Sequence, residues 1–207
     1  MLGFTTCSPG VFFRSRAWAR NGSAPKRNNR RRMLLALALA ILFATAGQPL
    51  LHAEDGNWLA AGVRTGVGDT RNSEQFTKSE LFLAYGLPYT WESDAHWLVG
   101  PFLGLNAGVL LSDKNTFVGS AGPGLYLLSP GKRLALFAGV YVTYLSRSQL
   151  DSEDFGGSLQ FTSTVGIDYP LSRSVIIGYS FQHMSNAGLF MENPGLNTHM
   201  LELIYRF

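Results

Sequence analysis

The sequence predicts an all-β chain folded as an eight-stranded antiparallel transmembrane β-barrel. Three observations carry that prediction: eight segments of alternating character separated by turn-rich stretches, no amphipathic helical stretch of convincing length, and a last segment that alternates up to a terminal aromatic residue. Strand side chains alternate with period two, so each such segment sorts its residues onto two faces.

The amino terminus stands apart from this pattern. Arg30-Arg31-Arg32 precedes an apolar run from Met33 to Phe43, the basic and hydrophobic regions of a secretory signal peptide, and the run is too short for a transmembrane helix. Ala44-Thr45-Ala46 and Leu51-His52-Ala53 are both small-residue cleavage sites; the second leaves Glu54 to open a polar start before the first strand. Residues 1–32 read as an upstream extension, with Met33 as the alternative initiator, so 1–53 is the removed segment and 54–207 the barrel domain. Eight of the 17 Lys and Arg residues fall in 1–53 and none of the 14 Asp and Glu, which leaves nine basic against fourteen acidic residues, a net charge of −5. The basic balance of the whole chain therefore belongs to the leader and implies no nucleic-acid partner. Cys7, the single cysteine, leaves with it, so the barrel domain has no disulfide, thiol nucleophile or zinc–thiolate site.

The strands are expected over 57–67, 78–88, 96–109, 115–128, 133–147, 157–169, 173–186 and 196–207. Asp69-Thr70-Arg71-Asn72-Ser73 separates the first two in turn composition. In the second, Leu81, Leu83, Tyr85 and Leu87 alternate with Glu80, Phe82, Ala84 and Gly86. Glu92-Ser93-Asp94 precedes the third, and Ser112-Asp113-Lys114-Asn115 follows it. The fourth contains Gly119-Ser120-Ala121-Gly122-Pro123-Gly124, which reads as room for a strand bend or for bulky interior neighbours. Ser129-Pro130-Gly131-Lys132 leads to the fifth, and Asp151-Ser152-Glu153-Asp154, read as a solvated loop, leads to the sixth. There Leu159, Phe161, Val165 and Ile167 alternate with Gln160, Thr162, Thr164, Gly166 and Asp168. The seventh puts Val175, Ile177, Tyr179, Phe181, His183 and Ser185 on one face, and Ile176, Gly178, Ser180, Gln182 and Met184 on the other. The eighth ends Leu201, Leu203, Tyr205, Phe207 on one face.

Alternation alone does not distinguish a lipid-facing barrel from a soluble one such as a lipocalin-like periplasmic barrel. The leader, the aromatics at segment ends (Trp58, Tyr89, Trp91, Trp97, Tyr141, Tyr144, Tyr169, Tyr205) and the terminal Phe207 favour lipid, and strands of this length suit a tilted crossing. In hydrocarbon an open sheet edge would strand backbone donors and acceptors, so the sheet must close.

An even strand number puts both ends of the domain at one rim, the periplasmic one in outer-membrane barrels. From Phe207, ten residues back to Asn197 cover about 33 Å of strand, or about 25 Å of membrane height at a tilt near 40°. His183, Ser185 and Asn197 then lie near the outer-leaflet boundary, facing lipid, and 187–195 forms an external loop. Residues two apart on a strand share a face, so the His183 imidazole can lean toward the Ser185 hydroxyl and act as its base.

The run His183-Met184-Ser185-Asn186-Ala187-Gly188, then Asn193-Pro194-Gly195 and a last strand ending on an aromatic, resembles the carboxy-terminal motif of the PagL outer-membrane lipid A 3-O-deacylases. The resemblance is strongest over about 35 residues; the rest of the chain matches as a barrel of similar length. It implies a serine esterase of the outer membrane that hydrolyses the acyl ester at the 3-position of lipid A in lipopolysaccharide, with His183 as base and Ser185 as nucleophile. It also implies Asn186 and the Gly188 N–H as oxyanion donors and Asn193 as support for their loop. No cofactor and no metal are implied, and a homodimer is compatible with the reading. The chain departs from the family at the triad's third position, usually Glu fourteen residues after the His, which here is Asn197. Asn197 shares the outward parity and can orient the imidazole without supplying charge; Glu192, from the loop, is the alternative orienter, and Glu202 has the opposite parity. His199 reads as a rim residue and His96 as an end-of-strand residue. An outer-membrane phospholipase and a non-catalytic small barrel are the competing functions.

Overall fold

The structure, a computed structural model, describes residues 58–150 and 152–207; the leader 1–53, with Cys7 and Met33, lies outside the described residues. Eight long strands form the wall: β1 (Trp58–Thr70), β2 (Gln75–Gly86), β3 (Leu98–Leu111), β4 (Thr116–Leu128), β5 (Ala135–Leu145), β6 (Leu159–Pro170), β7 (Val175–Ser185) and β8 (Leu196–Arg206). Each pairs antiparallel with the next, and β8 pairs with β1, Val63 opposite Leu203, so the sheet closes. Trp91–Glu92 adds a two-residue edge to β3, and Gln149–Leu150 pairs with Glu153–Asp154 as a small hairpin inside the loop from β5 to β6. The first turn is tighter than its composition suggests. Asp69, expected in a loop, pairs with both Asn197 and Gln75, because polar side chains do not prevent the backbone ladder from continuing.

The two faces of the wall differ as the alternation requires. Leu81, Leu83, Leu103, Leu105, Val140, Val142, Val165, Ile167 and Leu201 are exposed on the outside. Arg64, Lys78, Glu80, Asn106, Gln160, Thr162, Gln182 and Glu202 are buried inside. An apolar outside over a polar inside suits a barrel solvated by hydrocarbon and is untenable in water. The interior charges are paired. Arg64 Nε and Nη1 donate to Glu80 at 2.5 Å and Glu202 at 3.4 Å, Lys78 Nζ reaches Glu80 at 2.9 Å, and Gln182 joins Lys78 to Glu80 at 2.7 and 2.9 Å.

Above this charged girdle, at the end away from the termini, Phe76, Leu110, Val118, Leu145, Leu150, Phe155, Met184 and Leu196 plug the barrel. Below it, a cavity of about 560 Å³ opens between Phe102, Tyr126, Phe137, Tyr141 and Ile204. Trp58 and Tyr85 stack edge to face at that end, with Tyr205 against Phe207, as expected of an aromatic belt. Tyr141 does not belong to it. Its ring is buried in the lumen, over the places where Gly104 and Gly139 lack a side chain, because its position in β5 has inward parity. Gly124 likewise leaves room for the Phe102 ring.

Candidate active site

β7 carries His183 and Ser185 outward, His183 exposed and Ser185 half-buried, while Gln182 and Met184 between and beside them point inward and are buried. The pair sits at the last turn of the strand before the long loop 186–195, at the end opposite the chain terminus. In the sheet His183 lies opposite Asn197 of β8 on one side and Ser163 of β6 on the other. The His183 Nδ1–H donates to Asn197 Oδ1 at 2.8 Å. That bond fixes the tautomer, leaving Nε2 unprotonated and free to accept a proton. Among the described residues Ser185 Oγ has no hydrogen-bond partner, so it is not yet engaged by the imidazole. Such contacts often tighten only once substrate is bound.

The loop that follows is organised by one side chain. Asn186 is fully buried: its Nδ2 donates to the carbonyls of Phe155 at 3.1 Å and Glu192 at 2.6 Å, and its Oδ1 accepts the Gly188 N–H at 2.9 Å. Both amide hydrogens and the Gly188 N–H are thus committed within the protein. Asn186 and the Gly188 N–H thus hold the loop together beside Ser185. Asn193 does support the loop, its Oδ1 accepting the Asn186 N–H at 3.2 Å, and its Nδ2 has no partner among the described residues. Ala187 and Gly188 both have positive φ, 53° and 81°, which turns the chain sharply away from Ser185. Gly195, at φ 65°, passes behind the imidazole; a Cβ there would touch His183 Cε1 at 3.5 Å.

The remaining candidates separate cleanly. Glu192 contributes its backbone carbonyl to Asn186, and its carboxylate is not on the imidazole. Glu202 points into the lumen and accepts from Ser180 and Arg64. His199 is on the outer face, its Nδ1 2.6 Å from the Tyr179 hydroxyl and its ring beside Phe181. His96 sits in the turn before β3 with Nδ1 2.8 Å from Glu92. Within the acidic stretch Glu153 is not solvated. Glu153 is buried and accepts from Thr70 and, at 2.9 Å, from Asn72, because the hairpin folds down over the barrel mouth.

Two contributors escaped the sequence reading. One is the segment Phe155-Gly156-Gly157, against which the site loop is built; the glycine pair just before β6 is the signal that could have pointed to it. The other is Ser163, the gap in the apolar series Leu159, Phe161, Val165, Ile167 on β6.

A family model described as lipid A 3-O-deacylase (PagL) matches residues 79–206. A lipid A deacylase PagL from Bordetella bronchiseptica is 34% identical over 77 residues, 37% of this chain and 43% of that relative, so the chain spans less than half the length of the curated relative it matches. Among solved structures, the outer membrane enzyme PagL superposes with a TM-score of 0.59 at 20% identity, over 69% of this chain and 97% of that one. Ail, the attachment invasion locus protein of Yersinia pestis, gives a TM-score of 0.41 at 14% identity, over 72% and 97%. The first likeness is one of fold. The family match covers more than half of the chain and takes in His183, Ser185, Asn197 and the whole loop between them: the chain belongs to the lipid A 3-O-deacylase (PagL) family.

Proposed function

We propose that this protein is an outer-membrane serine esterase that hydrolyses the acyl ester at the 3-position of lipid A in the outer leaflet, after export directed by a signal peptide within residues 1–53. The observation that carries the reading is the imidazole of His183, held through Nδ1 by Asn197, with Ser185 on the same lipid-facing wall of the barrel. An ester at headgroup depth would meet the hydroxyl there without leaving the membrane.

In the reaction, His183 Nε2 takes the Ser185 proton as Oγ attacks the ester carbonyl. The developing oxyanion is met from the loop of Asn186 and Gly188, which Asn193 supports through its Oδ1. The tetrahedral species collapses as the imidazolium returns the proton to the departing sugar oxygen. Water, deprotonated by His183, then attacks the acyl-enzyme, Ser185 recovers its proton, and a fatty acid leaves. These steps use protein side chains and water alone. Asn197 orients the imidazole and supplies no charge, so imidazolium is stabilised less than beside a carboxylate.

Mass spectrometry of lipid A from cells producing the intact protein tests this. Loss of one ester-linked acyl chain is expected, with the full mass restored by His183→Ala or Ser185→Ala in a folded barrel. Fatty acid released from phospholipid instead would make the protein a phospholipase, and an unchanged lipid A mass with every variant would leave it a non-catalytic barrel.

A further inference from the structure

Asn197 gives its Oδ1 to His183, and its Nδ2 has no hydrogen-bond partner among the described residues. An amide N–H on the outer wall of the barrel is unfavourable without an acceptor, and the neighbouring strand holds one. β8 runs between β7 and β1, so Asn197 lies opposite His183 on one side and opposite Asp69 on the other. Asp69 shares their outward face. On β1, Val67 is exposed on the outside, Thr70 is buried with its hydroxyl on Glu153, and Asp69 between them is exposed. The Asp69 carboxylate makes no hydrogen bond or ion pair with any described residue, and Arg71 of the adjoining turn does not engage it. Gln75, opposite Asp69 on β2, and Ser163, opposite His183 on β6, flank the row without charge. Imidazole, amide and carboxylate thus stand in register on three neighbouring strands.

We propose that Asp69 is a positioning residue that supplies, through the Asn197 amide, the negative charge that a carboxylate at position 197 would have set directly beside the imidazole. The inference rests on the esterase reading above. Side chains directly opposite on paired strands have Cβ atoms about 5 Å apart, so rotation about the side-chain bonds brings an Asp69 oxygen to the Asn197 Nδ2–H. The donors then run in one direction: His183 Nδ1–H gives to Asn197 Oδ1, and Asn197 Nδ2–H gives to Asp69. An amide held at both ends cannot exchange its oxygen for its nitrogen, so the acceptor stays on His183 and the imidazole keeps its tautomer. Hydrogen bonds in such a chain polarise one another. The carboxylate at its end makes Oδ1 a stronger acceptor and stabilises the imidazolium that forms as Ser185 loses its proton. Asp69 lies one residue from the end of β1, at the rim, where a carboxylate is tolerated in a lipid-facing wall.

The test measures kcat and KM for lipid A deacylation by the full chain in detergent micelles. Asp69→Asn keeps the shape of the side chain and removes its charge, and should lower kcat about tenfold with KM nearly unchanged. Asp69→Glu keeps the charge and should recover most of that rate. In the Asn197→Glu background the charge stands beside the imidazole itself, so adding Asp69→Asn there should lower kcat far less than it does in the unaltered protein. An unchanged kcat in Asp69→Asn, a loss in Asp69→Glu as large as in Asp69→Asn, or the same loss in both backgrounds overturns the proposal, because Asp69 would then act without Asn197 or serve only the packing of the rim. No deacylation by the unaltered protein, or full activity of Ser185→Ala, would overturn the esterase reading instead, and both are read with Asp69 in place.

Discussion

In the proposed mechanism Asn197 is the residue on which the chemistry differs from a charged triad. Its Oδ1 accepts the Nδ1–H of His183 at 2.8 Å, the geometry a carboxylate would adopt, and both residues lie on the outer wall where low polarity strengthens the bond. Removing the acceptor frees the ring to turn and to take the other tautomer. Asn197→Ala is therefore expected to lower kcat roughly 10–100-fold with little change in KM, read from steady-state deacylation in micelles. Asn197→Glu restores both the acceptor and a charge to balance imidazolium, so it should keep or raise kcat; complete loss in a folded protein would show that the amide donates an essential hydrogen elsewhere. Glu192→Gln separates the two candidates for this role, because a loss as large as that of Asn197→Ala would move the orienting function to the loop carboxylate. The family resemblance pointed to position 197, and parity agreed, since Asn197 shares the outward parity of Phe207 and so the face of His183.

At the scale of elements, the site loop 186–195 is assembled on the segment before β6. Asn186 reaches the Phe155 carbonyl, Phe155 packs its ring against Phe76 in the apolar plug at 6.1 Å, and the chain at Gly156 passes so close to the Glu192 carbonyl that a Cβ would collide with it. Gly156 also has φ 78°, which a side chain disfavours. Gly156→Ala is expected to push the two loops apart, costing about 1–3 kcal/mol of local stability and most of the activity, while the barrel stays folded. Faster hydrogen exchange at Gly188 and Leu189 with an unchanged strand core would verify it; normal activity would show that the loop holds its shape unaided. This support was hidden in the sequence for a physical reason. Strand register follows from period-two alternation, so β6, β7 and β8 could be placed within a residue or two, and with them His183, Ser185 and Asn197. Contacts between loops follow from no periodicity. Glu153 looks solvated by composition, and only the fold of the hairpin over the barrel mouth buries it. The commitment of the Asn186 amide to two carbonyls was likewise invisible, because one of those carbonyls lies 31 residues earlier in the chain.

Across the whole molecule, the lumen and the outer wall divide the work. The girdle of Arg64, Lys78, Glu80 and Glu202 balances two cations with two anions, and with Asn106, Ser180 and Gln182 it ties together β1, β2, β3, β7 and β8. These groups cannot reach bulk water while buried, so each depends on the others for its partners. Removing one leaves an uncompensated charge: Arg64→Met should destabilise the barrel by about 3–5 kcal/mol, seen as a lower temperature for the loss of its compact, fast-migrating form on gels. Removing a carboxylate as well should recover part of that loss, so the double variant Arg64→Met with Glu202→Gln is expected to unfold above the single one. If the two substitutions simply add, the girdle is not a coupled network but a set of independent pairs. Because His183 and Ser185 face outward above the girdle, with the apolar plug behind them, the folded fraction of either variant should keep its deacylation rate. A rate that falls in step with stability would mean instead that the lumen sets the geometry of the wall, and that the register placing His183 beside Asn197 is maintained from inside the barrel.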